Sequence, residues 1–317
     1  MSNPEKKKTI KTSIGGQAVI EGVMMRGPKV TALSVRMPDQ SISTEEWATP
    51  DGNKWYKKTP FIRGIFNFIE SMTCGYQSLM KAAEKAGLDD DEEPSKFEQK
   101  LRDMLGDKFM PFLEGCILLF SLVMALFFFA FLPTTIVNLL NGVITHPLAL
   151  SALEGLTKIA ILIVYLAAIS NMSDIKRVFM YHGAEHKTIF CYEHGLPLTV
   201  ENVRIQPRHH PRCGTSFLFV VIVVSILLSS VLFSFVEVTN TFARMGLHLL
   251  LLPVIVSLTY ELNRVVGRYD NRLTRLVSAP GMWLQNWTTF EPDDSMIEVG
   301  IRAFTLVLPE EKGKDQW

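Results

Sequence analysis

Three residues in the stretch YHGAEHK (181–187), namely His182, Glu185 and His186, have the types and spacing to do chemistry. On a helix, histidines four positions apart stand one turn apart on a single face, so both imidazoles can reach one divalent ion. The glutamate beside them can hold or activate a water molecule, the role a carboxylate plays in metal-dependent hydrolysis. The same pattern also fits polar residues on an exposed helix face, so the rest of the chain has to supply a reason for a site.

A second group supplies one. Five of the seven histidines fall between His182 and His210, and HHPRCGT brings His209, His210 and Cys213 together. Imidazole and thiolate are the preferred donors for zinc and similar metals. His210 and Cys213 flank Pro211 and Arg212, a spacing that lets one tight turn aim both side chains at one ion. His194 and His209 are read as bystanders. Glu261 is a further candidate, because a carboxylate at the end of an apolar segment is costly unless it faces protein, water or a metal. It fits a ligand or a partner for Arg264 or Arg268.

Two functions follow from this donor set. In one, a divalent metal, zinc by its donors, is held by His182, His186 and one of His210, Cys213 or Glu261, with Glu185 as the general base of a hydrolase. In the other, His182, His186, His210 and Cys213 close a structural zinc site in a non-enzymatic scaffold or assembly factor that binds other membrane proteins or nascent chains.

The elements that must position these residues are set by a very uneven hydropathy. No Asp, Glu, Lys or Arg occurs between Glu114 and Glu154, and Phe217 to Val236 is twenty residues without a charge. About 20 apolar residues cross a bilayer as a helix. Spans are expected near 113–132, 153–172, 217–236 and 244–261. Lys158 would have to snorkel to the membrane surface. Apart from Lys158 and His248 the middles of the spans lack the charged residues that mark transport paths.

Basic residues set the orientation. The segment 133–155 has none, whereas the loop 173–214 carries Lys176, Arg177, Lys187, Arg204, Arg208 and Arg212, and the tail from 264 carries four arginines by Arg275. Both termini and that loop are therefore expected in the cytoplasm, with the chain in the plasma membrane. The opening MSNPEKKK has no apolar core, so a cleaved signal peptide is not expected. With 32 basic and 32 acidic residues the chain has no electrostatic footprint for nucleic acid. Four cysteines on the cytoplasmic side or in spans do not suggest disulfides.

The expected fold is predominantly α, a polytopic membrane protein of about four transmembrane helices with a small β-containing N-terminal region. Residues 1–58 hold a glycine-rich stretch, GGQAVIEGVMMRGP, and a two-stranded hairpin turning at Pro38–Asp39. Residues 59–109 hold an amphipathic helix and an acidic linker (LDDDEEPSK), residues 110–263 the spans, and residues 264–317 a tail. Trp283 and Trp287 stand one helical turn apart, as interfacial anchors do.

GGQAVIEGVMMRGP, YHGAEHKTI, HPRCGTSF and PGMWLQNWTTFEPDD, in that order, resemble domain-of-unknown-function family 1385, the YqhQ-like bacterial membrane proteins. The resemblance runs from about Gly15 to Ile301. It implies a metal-dependent enzyme built on His182, Glu185, His186, His210 and Cys213, with the glycine-rich stretch and its Glu21 or Arg26 near the site. Phe290 stands where the family pattern has a basic residue, and Trp287 where it has a smaller one.

Overall fold

A computed structural model describes residues 10–50, 52, 54–87, 96–140, 144, 146–236, 238, 240–269, 271–311 and 313–315. The opening MSNPEKKK and residues 88–95 of the acidic linker lie outside the described residues.

The chain starts as a four-stranded antiparallel meander, β1 (Gly15–Val19), β2 (Gly22–Arg26), β3 (Val30–Arg36) and β4 (Ile42–Ala48), in sequential order. The expected hairpin is β3–β4, whose turn is fixed by the Asp39 carboxylate accepting from Ser41 N at 2.9 Å. The glycine-rich stretch is itself the hairpin β1–β2, with Glu21 at positive φ in its two-residue turn. Its apolar run VMM does not alternate with polar residues because both faces of the sheet are covered. Val23 and Met25 face one core, and Met24 joins Leu33 and Val35 in another.

Helices follow: α1 (Trp55–Lys58), α2 (Ile62–Lys85), α3 (Lys96–Leu105), α4 (Phe109–Leu126), a π-helical turn (Phe127–Phe131), α5 (Leu132–Leu140), α6 (Pro147–Ile169), α7 (Ser173–Glu193), α8 (Val200–Arg204), α9 (Gly214–Phe235), α10 (Thr241–Arg268), α11 (Arg272–Thr288) and α12 (Asp294–Leu306). Four stretches are long and apolar enough to cross a membrane: Gly115–Leu140, Ala149–Ile169, Gly214–Phe235 and Phe242–Arg268. In hydrocarbon, only a helix or a closed barrel satisfies every backbone group, which is why these runs are helical throughout.

The structure forms two units. One comprises Met1–Leu88, Tyr165–Val221 and Val256–Trp317; the other comprises Asp89–Val164 and Ile222–Ile255. In the first, the sheet is covered on one face by α7 and α12, whose Tyr181, Ile189, Met296 and Phe304 meet Val23, Met25 and Ala32. Ala82 of α2 packs on the other face. Asp293 caps α12 by accepting from Met296 N at 2.9 Å. In the second unit, Lys158 does not snorkel. It lies 3.0 Å from Glu154, which also accepts from Arg244 at 2.8 Å and lies 2.7 Å from His248. A buried carboxylate four residues away is a nearer counter-charge than the membrane surface.

Candidate metal centre

Helix α7 holds the YHGAEHK residues, and its packing gives each a separate place. Tyr181 and Ala184 are fully buried in the core, and the Tyr181 hydroxyl donates to Glu21 at 3.1 Å. Glu21 also accepts from Arg177 at 2.7 Å. Lys187 is buried, donates to the Arg204 carbonyl at 2.8 Å, and pairs with Glu291. His182, Glu185 and His186 are left facing a cavity of about 420 Å3. Its other walls are Gly15–Ala18 of β1 and the turn that runs from His210 to Thr215.

Gly183 and Gly16 make this arrangement possible. A Cβ at Gly183 would stand 2.0 Å from the Phe290 carbonyl oxygen, so only glycine lets the TTFEPDD segment cross α7 this closely. Phe290 is held there through its backbone, its N–H donating to the Phe179 carbonyl at 2.9 Å. A Cβ at Gly16 would stand 2.6 Å from the Met24 carbonyl oxygen and 3.1 Å from Cδ of Glu185. The bare backbone there leaves room for the Glu185 carboxylate, whose charged form the Gly16 N–H favours.

His182, His186 and Cys213 converge, with one nitrogen or sulfur of each within 4.8 Å of the others. His182 Nε2 is 3.1 Å from the Cys213 sulfur, and the two histidine rings are 4.3 Å apart. His182 Nδ1 donates to the Thr288 carbonyl at 2.7 Å, and His186 Nδ1 to the Arg208 carbonyl at 2.5 Å. A carbonyl can only accept, so both Nδ1 atoms carry a proton and Nε2 is left as the nitrogen of each ring that is open to a metal, the orientation that metal-binding histidines require. Two imidazoles and a thiolate are good zinc donors, and a tetrahedral ion needs them about 3.3 to 3.7 Å apart. The side chains present fit such an ion with small adjustments.

The electrostatics favour a thiolate–imidazolium pair, the binding form of Cys213 and a protonated His182 whose Nε2 proton a bound ion would displace. Burial alone would raise the Cys213 thiol, but the histidines beside it hold it well below its usual range, which favours the thiolate. The thiolate in turn draws the His182 imidazole up to about 9, against its own burial. Burial pushes the Glu185 carboxyl up, and His182 and His186 only partly counter this.

Two other sequence candidates are placed differently. His210 is buried 5.5 Å from the His186 ring, but its nitrogens face Arg212 and Glu193: Nδ1 accepts from Arg212 N at 3.3 Å and Nε2 is 3.8 Å from Glu193. Burial holds its pKa down to about 4 in spite of Glu193. Glu261 is not among the converging side chains. It accepts from Arg63 Nε at 2.7 Å and from Phe61 N at 3.1 Å, so its partner is Arg63 and not Arg264 or Arg268. Glu21 and Arg26 are likewise engaged elsewhere, Arg26 with Glu70.

Sequence reasoning missed Gln285 and Thr288 of α11. Gln285 is fully buried; its oxygen accepts from His210 N and its nitrogen donates to His210 O, both at 2.8 Å, with a further bond to Ser216 at 3.1 Å. It grips the HPRC turn by the backbone. Thr288 supplies an unpaired helix-end carbonyl to orient His182. The visible signal was a glutamine inside the aromatic stretch WLQNW.

The chain belongs to the family described as Protein of unknown function (DUF1385), which matches residues 59–310. It is similar to the "Uncharacterized protein YqhQ" of Bacillus subtilis (strain 168), 34% identical over 313 residues that cover 98% of this chain and 96% of that one. No solved structure matches it.

Proposed function

We propose that this member of the DUF1385 family is a metal-dependent hydrolase at a membrane surface, with His182, His186 and Cys213 holding one divalent ion and Glu185 as general base. The observation that carries this reading is the convergence of three donors on the wall of a cavity that Glu185 also lines. A catalytic metal keeps three protein ligands and an open position, whereas a structural zinc closes all four. The four-ligand alternative needs the His210 ring to turn away from Arg212 and Glu193. A divalent ion held here supplies Lewis-acid polarisation of the reacting oxygen.

The remaining work falls to the chain itself. Glu185, raised by burial, accepts the proton of the attacking water and returns it to the leaving group. The close approach of Gly16 confines its carboxylate, and the carbonyls of Thr288 and Arg208 keep the two imidazoles in register. Because Cys213 immediately precedes the apolar run Gly214–Phe235, the substrate we propose is a membrane peptide or a lipid-linked molecule. The proposal places both termini in the cytoplasm of a bacterial cell, supported by the basic residues of 173–214 and their absence from 133–155.

Hydrolysis of peptide, ester and phosphoester amphiphiles in mixed micelles tests the reading. Glu185→Gln is expected to retain metal and to lose about 10²–10⁴-fold in rate. Equal turnover by both proteins, or none by the wild type across those three bond classes, would count against it.

A further inference from the structure

Helix α2 is amphipathic in the reverse sense for a helix in water. Its buried positions are Gly64, Gly75, Ser78 and Ala82. The large apolar residues Ile62, Phe66, Ile69, Met72, Tyr76 and Leu79, at spacings of three and four, are exposed, Ile69 and Met72 by 54% and 57%. A helix on a water-soluble domain turns such a stripe inward, and an outward stripe this long marks a protein or membrane contact.

The charges on α2 follow the same pattern. Between Ile62 and Met80 only Arg63 and Glu70 are charged, and both are paired on the protein side. Arg63 bonds Glu261, and Glu70 binds Arg26 and Lys57. The outward face carries no charge at all, as a surface in hydrocarbon requires.

Continuity with α10 identifies the occupant. The first turns of α2 are fastened to α10 at Ser257, Tyr260 and Glu261. The Ser257 hydroxyl donates to the Phe61 carbonyl, Asn67 donates to Tyr260 at 2.8 Å, and a Cβ at Gly64 would stand 2.9 Å from Tyr260 Cβ. These α10 residues lie inside the membrane-crossing stretch Phe242–Arg268. At 1.5 Å per residue, Ser257 is about 6 Å along the helix from Glu261, where the apolar segment ends, which puts it in the outer part of the leaflet.

We infer that α2 is a membrane-embedded interfacial helix whose stripe from Ile62 to Leu79 lies in the acyl chains of the leaflet entered by the end of α10. Its occupant is lipid, and the helix adds a fifth membrane contact to the four spans. The inference is independent of the metal reading.

Photo-crosslinking in the full chain tests it. The residue p-benzoylphenylalanine replaces Ile69, Met72 or Leu79 one at a time, and the protein is reconstituted in phosphatidylethanolamine–phosphatidylglycerol vesicles. Leu118 in the first span and exposed Glu201 serve as lipid-facing and water-facing references. All three test positions are exposed, so folding is not at risk. The expected result is phospholipid adducts, resolved by mass, close to the yield at Leu118 and roughly ten-fold above that at Glu201. Crosslinks to a second copy of the chain, or adduct yields no higher than at Glu201, would overturn the inference.

Discussion

At the scale of single residues, the site is decided as much by an absent side chain as by those present. Gly16 brings a backbone N–H against the Glu185 carboxylate in a space where a methyl group would strike the Met24 carbonyl and the carboxylate itself. Neighbouring Gly15 meets nothing within 4 Å. Gly16→Ala should therefore cost about 1–3 kcal/mol in stability and displace Glu185, whereas Gly15→Ala should stay within about 0.5 kcal/mol of wild type. Thermal unfolding of the two variants side by side checks this, and equal midpoints would contradict the role given to Gly16. The convergence of His182 and His186 was legible because helix geometry fixes which histidines share a face. The glycine was not, since the strand contact it serves lies 169 residues away from Glu185 in sequence and no local spacing encodes it.

At the scale of elements, α7 and the HPRC turn bring the donors and α11 holds them. The turn was readable from the spacing of His210 and Cys213, and it closes through Cys213 N donating to the His210 carbonyl at 3.3 Å. The role of α11 was not readable, because it acts through one glutamine and one backbone carbonyl, which carry no motif. Gln285→Ala removes a double clamp and leaves buried backbone groups of His210 unpaired, a loss on the order of 2–4 kcal/mol. Metal affinity should fall with it, measured by competition against a chromophoric chelator; unchanged affinity and stability would contradict the clamp. His210 predicts a pH effect of defined sign. Burial holds it down to about 4 against an ordinary value of 6.5, so the unfolded chain takes up the proton first as pH falls. The stability it contributes is complete above pH 6.5 and is lost progressively toward pH 4, by up to about 3 kcal/mol. In the presence of EDTA, His210→Gln should show a flatter fall in melting temperature than wild type over that window. Parallel curves would contradict the assignment.

At the scale of the whole molecule, hydropathy alone gave the class: a predominantly helical chain with four candidate spans and a small N-terminal sheet. Runs such as Phe217 to Val236 can only be membrane or deep core, and their length decides between the two. The partner of Glu261 was out of reach of such reasoning, since Arg63 is 198 residues distant. The placement of Glu154 against Lys158, Arg244 and His248 was equally hidden, although each residue was visible singly. The central claim is a metal held by three residues, and elemental analysis of the purified full chain tests it most directly. The account predicts about one divalent ion per wild-type chain, one donor set holding one ion, lost in His186→Ala and retained in both Glu185→Gln and His210→Gln. Wild-type protein without metal, or metal that survives His186→Ala, would contradict it.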